Sequence, residues 1–300
     1  MTDHSLGLSR RAALGRIAAL AVLGAASPLA FAGTTAGNGV SPTLPAGRLR
    51  QSLSRWTSDA PLPDLCKRLK TIGFAGVDLL HTDEWSVVSD HGLAVSMGYP
   101  SRRDNFIAMG FNDPANHAVL LKELETTIPL AKQAGVNNLI TMFGNRKNGI
   151  DEQQAIANCV AGLSKIAPYA AENGITLCVE LLNSKVDHHG YQGDSTAFGV
   201  AVMKGINSPH VKLLYDIYHM QIMEGDVIRT IRDNIAWIGH FHTGGVPGRH
   251  EIDGTQELNY HAVAKAIADL NYNGFIAHEF EPAGPDPFAS FADAVRICTV

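Results

Sequence analysis

Eight strand-like runs alternate with helical patterns from residue 49 to the end of the chain, and few architectures accept that order. The runs are 49–54, 76–80, 93–98, 137–143, 175–181, 211–217, 236–242 and 274–280. Between them lie helical stretches such as Leu62–Ile72, His117–Gln133, Glu152–Glu172, Asp226–Asn234 and Asn259–Leu270. Gly73, Gly135, Gly174 and Gly274 fall between a helix and the next strand, where left-handed helix stops are common. A parallel neighbour is reached only through a crossover, usually helical, so the alternation predicts a parallel sheet. Eight units favour one α/β domain, a (β/α)8 TIM barrel spanning residues 48–300, over an open doubly wound sheet. No G-x-G-x-x-G dinucleotide loop follows the first run, which further weakens the open-sheet alternative.

Four of the runs end in side chains that bind metals. They are Ile175-Thr-Leu-Cys-Val-Glu180, Val211-Lys-Leu-Leu-Tyr-Asp216, Ala236-Trp-Ile-Gly-His-Phe-His242 and Phe275-Ile-Ala-His-Glu279. A parallel barrel gathers the carboxyl ends of its strands at one mouth, where its chemistry sits. Singly, a strand-end carboxylate or a lone histidine is more often a satisfied structural group. Together, Glu180, Asp216, His242 and Glu279 come from four consecutive units and form a candidate site for a divalent cation. Three carboxylates with one imidazole suit Mg2+ or Mn2+ first, with Co2+ and Zn2+ also compatible. His240 shares the face of His242 because strand side chains alternate, and it is expected one layer deeper. The same parity sets Lys212 near the opposite rim.

The N-terminus carries a different signal. Ser9-Arg10-Arg11-Ala12-Ala13-Leu14 is a twin-arginine pattern, followed by the uncharged stretch Ile17 to Ala32, which ends in the A-x-A site Ala30-Phe31-Ala32. That stretch is interrupted by Gly24, Ser27 and Pro28 and falls short of the roughly 20 apolar residues of a membrane span. Residues 1–32 are therefore read as a cleaved twin-arginine signal peptide, with 33–47 as a flexible leader and a periplasmic or otherwise exported location. The chain has 24 basic and 29 acidic residues; losing Arg10, Arg11, Arg16 and Asp3 leaves 21 and 28, a formal charge of −7. No basic stripe marks a nucleic-acid partner, and no later stretch reads as a membrane span. Cys66, Cys159, Cys178 and Cys298 are widely separated, without a C-x-x-C pair, and no structural disulfide is expected.

Three long strings carry a resemblance. Val179-Glu-Leu-Leu-Asn-Ser-Lys-Val-Asp-His-His-Gly-Tyr191, Leu213-Leu-Tyr-Asp-Ile-Tyr-His-Met-Gln221 and Gly239-His-Phe-His-Thr-Gly-Gly-Val-Pro-Gly-Arg-His-Glu251 resemble the hydroxypyruvate isomerase family. That family belongs to the xylose-isomerase-like barrels, with sugar 3-epimerases as cousins. The resemblance covers roughly residues 49–298. It implies that Glu180, Asp216, His242 and Glu279 bind the metal and that the two glutamates act as acid and base. It also implies a substrate-contacting role for His219. Some hydroxypyruvate isomerases carry glutamine where His242 stands, so this ligand varies across the resemblance. The family looks mostly cytoplasmic, and the export signal is where this sequence departs from it.

The implied chemistry is metal-assisted aldose–ketose isomerisation of a small hydroxy-oxo acid, hydroxypyruvate to 2-hydroxy-3-oxopropanoate or a close relative, through an enediolate. A substrate carboxylate calls for cations. Arg249 just beyond the seventh run and Lys185 five residues after Glu180 are the candidates. His81 after Val77-Asp-Leu-Leu80 is a further substrate-contact candidate; His188, His189 and Glu251 read as loop-packing or supporting residues. Trp56, Trp85 and Phe111 are assigned to ordinary packing. Residues 99–116, the longest break, are either a lid or a plain surface excursion. The alternatives are a ketose 3-epimerase on a neutral sugar, an endonuclease, and an exported sugar-acid binding protein without turnover. The acidic chain speaks against the endonuclease. Nothing in the sequence sets an oligomeric state, and a homo-oligomer stays open.

Overall fold

The computed structural model describes residues 47–300; the signal expected at 1–32 and nearly all of the 33–47 leader lie outside the described residues. Eight strands form one sheet: β1 (Arg50–Ser54), β2 (Gly76–Asp78), β3 (Ala94–Val95), β4 (Asn138–Met142), β5 (Thr176–Leu181), β6 (Val211–Asp216), β7 (Ile238–Thr243) and β8 (Phe275–His278). Every pairing is parallel, in the order β3-β2-β1-β8-β7-β6-β5-β4. The predicted barrel is present.

Its seam between β3 and β4 is closed by one residue. Gly98 bridges Leu80 on one side and Leu139 on the other, both in parallel sense. Its N–H donates to Asn138 O at 2.9 Å, and its own carbonyl accepts from Ile140 N at 3.0 Å. A Cβ on Gly98 would lie 2.7 Å from the Trp85 indole and 3.1 Å from Leu139 Cδ2, so the approach requires glycine.

The helices wrap the sheet: α1 (Leu62–Ile72), α2 (Trp85–Asp90), α3 (His117–Ala134), α4 (Glu152–Asn173), α5 (Thr196–Ile206), α6 (Ile217–Met223), α7 (Val227–Asn234), α8 (Tyr260–Asp269) and α9 (Pro287–Cys298). In α1 the residues Leu62, Leu65, Cys66 and Leu69 are buried, the one-face spacing that a helix packed on a sheet needs. Each such fully buried leucine contributes about 1.5–3 kcal/mol. Gly73, Gly135 and Gly174 stop α1, α3 and α4 in the left-handed conformation as expected. Gly274 does not stop α8; Asn271 takes that conformation after it, with φ 56°. Its short amide side chain makes it one of the few residues that tolerate this region.

Trp85 and Phe111 are buried packing residues, as expected, whereas Trp56 is 42% exposed at the barrel mouth. All four cysteines are free and buried. No described helix is long and apolar enough to cross a membrane.

Replacing Gly98 with alanine should cost about 1–3 kcal/mol through overpacking of the seam. For a domain of this size that is a fall of roughly 2–10 °C in Tm. An unchanged thermal melt would show that the β3–β4 closure is not tight.

Candidate metal centre

Glu180 sits near the end of β5, Asp216 ends β6, His242 lies one residue inside the end of β7, and Glu279 follows β8 directly. Parallel register brings all four to one mouth: one ligand atom from each lies within 4.8 Å of the others. His242 Nδ1 is 2.7 Å from Glu279 Oε2, 3.2 Å from Glu180 Oε1 and 4.0 Å from Asp216 Oδ2. Asp216 also caps α6, its carboxylate accepting from His219 N at 3.2 Å. The two glutamates border a cavity of about 1290 Å3, while Asp216 and His242 lie behind them, fully buried.

A residue passed over in the sequence orients this histidine. Asp78, at the end of β2 and fully buried, accepts from His242 Nε2 at 2.9 Å and faces His240 Nε2 at 3.0 Å. Ser96 and Ser52 extend the network below it. With Nε2–H committed to Asp78, the proton-free nitrogen of neutral His242 is Nδ1, the one that faces the three carboxylates. A carboxylate holding the far nitrogen of a ligating imidazole is a recurrent feature of metal sites. The available signal was a charged residue at the end of a short apolar strand. His81 drew the attention instead, being nearer the mouth. His240 lies deeper beside Asp78, as the strand parity predicted.

Burial raises all three carboxyls, and the neighbours decide where each comes to rest. Asp216 is pushed up to about 7 by burial despite the Arg249 guanidinium, and Glu180 is also raised by burial. For Glu279, burial is outweighed by Arg249 and His242, which hold it down to about 2. Burial alone would lower His242, yet the Glu279 charge and the nearby Asp78 and Glu180 carboxylates carry it well above its ordinary value. Asp78 falls below the usual carboxylate range because His240 and His242 outweigh burial.

This donor set fits a divalent cation. Three carboxylates converge on one point, and His242 Nδ1 is buried without a well-formed hydrogen bond. Oxygen donors with one imidazole suit Mg2+ or Mn2+.

Around the cluster, His219 is fully buried yet borders the cavity. Asn183 Oδ1 accepts from the Val186 and Asp187 amides, so its Nδ2 points at His219 Nδ1, 2.7 Å away, and donates to it. The proton of neutral His219 therefore sits on Nε2, which is buried without a well-formed hydrogen bond, 3.5 Å from Asp216 Oδ2. Burial, reinforced by Arg249 and two histidines, holds His219 well below its ordinary pKa and keeps it neutral. Arg249 bonds Glu279 Oε2 at 2.6 Å and Asp216 Oδ2 at 3.3 Å through Nη2, and Glu279 O at 3.3 Å through Nε. The fork foreseen for a substrate carboxylate is thus spent largely on the cluster. Trp56 Nε1 donates to Glu279 Oε1 at 2.7 Å, making it a site residue and correcting its assignment to packing.

His81 and His188 border the cavity. Lys185 does not: its exposed ammonium donates to the carbonyls of Ile222 and Met223 at the end of α6. The expected second cation for an acidic substrate is therefore not brought to the site. His189 is exposed at the rim, and Glu251 is a loop-packing residue that accepts from Ala283 N, Gly284 N and Ser290 Oγ. From the 99–116 break, residues 101–108 wall the cavity, and Phe111 and Asn112 are pinned to the end of β4.

A family model described as xylose isomerase-like TIM barrel matches residues 66–298. The chain belongs to that family. It is 32% identical over 169 residues to 2-oxo-tetronate isomerase of Cupriavidus necator, a match covering 56% of this chain and 64% of that protein, just under two thirds of its length. It is 28% identical over 218 residues to putative hydroxypyruvate isomerase of Drosophila melanogaster, covering 70% of this chain and 82% of that one. A solved structure titled AP endonuclease, family 2, from Brucella melitensis superposes with TM-score 0.74 at 24% identity, over 83% of this chain and 98% of that one. That likeness shows the fold alone.

Two expectations follow. Asp78→Asn should weaken Mn2+ affinity about 10–100-fold by loosening His242, measured by calorimetry; unchanged affinity would remove Asp78 from the site. In the second, groups with raised pKa, His242 and Asp216, must shed protons before they ligate, so metal loading releases protons and tightens as pH rises through about 7. Titrating Mn2+ in buffers of different ionisation heat counts those protons. A count of zero at pH 6–7 would contradict this ligand set.

Proposed function

We propose that this chain is a divalent-metal-dependent isomerase that moves a proton between adjacent carbons of a hydroxy-carbonyl substrate. The observation that carries the reading is the division of the cluster: Glu180 and Glu279 face the cavity from β5 and β8, while Asp216 and His242 stand behind them. Relatives named 2-oxo-tetronate isomerase and putative hydroxypyruvate isomerase support an isomerase, and a small hydroxy-oxo acid as the reacting end.

Glu180, Asp216, His242 and Glu279 would hold the ion. When bound, it polarises the substrate carbonyl and offsets the negative charge that develops as the neighbouring carbon loses its proton. His219 donates Nε2–H to a substrate oxygen, its tautomer set by Asn183. One glutamate takes the proton from carbon; the other returns a proton to the neighbouring carbon or its oxygen. Their environments separate the roles. Glu279 rests ionised beside Arg249, and Glu180 is the carboxyl that more readily keeps a proton. Trp56 and Arg249 orient Glu279 from two sides. The twin-arginine pattern supports the view that this activity is exercised outside the cytoplasm.

The placement of Lys185 favours a second reading, a ketose 3-epimerase, since it removes one of two cations meant for an acid. The same glutamates would then exchange a proton at the two faces of one carbon.

Chelation should abolish turnover, and Mn2+ or Mg2+ should restore it. Glu180→Gln and Glu279→Gln should each lower kcat about 10²–10⁴-fold, with metal content measured alongside. Product analysis on hydroxypyruvate, fructose, tagatose and psicose separates the readings, since an epimerase returns only the 3-epimer. Full activity after exhaustive chelation sinks both.

A further inference from the structure

Tyr99 directly follows Gly98, the residue that closes the seam, and its N–H donates to Leu80 O at 2.9 Å. That bond fixes its backbone at the mouth end of the third strand–helix unit. The ring is held from two directions. It stacks on His81 with centroids 4.9 Å apart and planes 24° apart, and Phe106 meets it edge-on at 5.4 Å. The side chain borders the same cavity as Glu180, Glu279 and His219. Among the described residues nothing hydrogen-bonds its hydroxyl, whose oxygen opens onto the cavity rather than being sealed in the wall. A largely buried phenol usually finds a partner, so this donor is unspent.

The charges acting on the two stacked rings tell which way the hydroxyl points. Burial first, then the charges of Glu279 and Glu180, push the Tyr99 phenol far above its ordinary pKa, with His242 opposing and Asp78 adding to the rise. These four side chains come from the mouth ends of β8, β5, β7 and β2, so a group that feels all of them lies over the cluster. His81 is held down by burial and by Arg102, against the charges of Glu84 and Asp83. Arg102 and Asp83 are exposed, so the surroundings of His81 are those of the rim. Tyr99 therefore reaches inward past its stacking partner. Its phenol also stays protonated, a neutral donor beside two glutamates. Neighbouring donors are committed elsewhere: Trp56 Nε1 to Glu279, and Arg249 to Glu279 and Asp216.

We propose that Tyr99 is a further catalytic residue, whose hydroxyl donates a hydrogen bond to the oxygen that gains negative charge as the substrate becomes an enediolate. The proposal rests on the isomerase reading, and it holds equally for a 3-epimerase, which passes through the same kind of intermediate. No proton has to leave the phenol. The bond strengthens as charge builds on the oxygen, so the transition state gains more from it than the bound substrate does.

The test compares Mn2+-loaded wild-type protein with Tyr99→Phe and Tyr99→Leu on hydroxypyruvate, fructose, tagatose and psicose. Tyr99→Phe keeps the ring and removes only a hydroxyl without a protein partner, so thermal melts should stay in place. Its kcat should fall about 10²–10³-fold, with KM and Mn2+ affinity little changed. Tyr99→Leu should lose at least as much. Binding gives a readout that does not need turnover. Glycolohydroxamate, a planar metal-chelating mimic of an enediolate, should bind Tyr99→Phe about 10–100-fold more weakly by calorimetry. Unchanged kcat and mimic binding in Tyr99→Phe, or losses confined to Tyr99→Leu, assign the side chain to packing and overturn the proposal while the isomerase reading stands. A parallel loss of Mn2+ affinity in Tyr99→Phe also overturns it, since the hydroxyl would then serve the metal cluster. Weakened mimic binding in Tyr99→Phe, without turnover of any compound by the wild type, upholds the donor and overturns the isomerase reading.

Discussion

Three carboxylates and an imidazole held within 4.8 Å of one another repel unless positive charge joins them, and much of the mouth is arranged around that fact. Two unit charges 4 Å apart interact by about 4 kcal/mol at an effective dielectric of 20. The protein answers part of this itself. Arg249 reaches Glu279 and Asp216, Trp56 donates to Glu279, and His242 stands among all three carboxylates. Burial, with the Glu279 charge adding to it, raises the carboxyl pKa values of Glu180 and Asp216. Asp78 acts from below, using the far nitrogen of His242 so that the near one is left to the cluster.

The barrel makes that convergence possible. Strand ends meet at one mouth only if the sheet closes, and closure passes through Gly98, where two bridges replace a regular β3–β4 ladder. The same closure brings β2 opposite β7, which lets Asp78 touch His240 and His242 across 162 and 164 residues of chain. Loops after β1, β2 and β3 are thereby set facing the glutamates of β5 and β8.

Much of this was legible in the sequence, and the failures have physical causes. All eight strands lie within the runs read from apolar patterning, apart from one-residue shifts at the ends, because buried parallel strands are short and near-continuously apolar. Helices α1, α3 and α4 emerged from their periodicity and glycine stops. The helix α5 did not: Thr196–Ile206 has apolar residues and glycines around most of its circumference, which hides the stripe. The four cluster residues could be read because each ends a strand. Asp78 and Trp56 could not, since their roles exist only once distant strands are adjacent. Lys185 misled for the converse reason: five residues from Glu180 along the chain, its side chain turns to the carbonyls that α6 leaves unsatisfied at its end.

The fate of the cations reorganises the functional picture. Sequence proximity made Lys185 and Arg249 a natural pair for a substrate carboxylate. In the fold one serves a helix terminus and the other serves the cluster, where it holds Glu279 below its ordinary carboxylate range while burial raises Glu180. Three further arginines, Arg55, Arg102 and Arg103, line the cavity, and Arg103 keeps both Nη nitrogens buried without a hydrogen-bond partner.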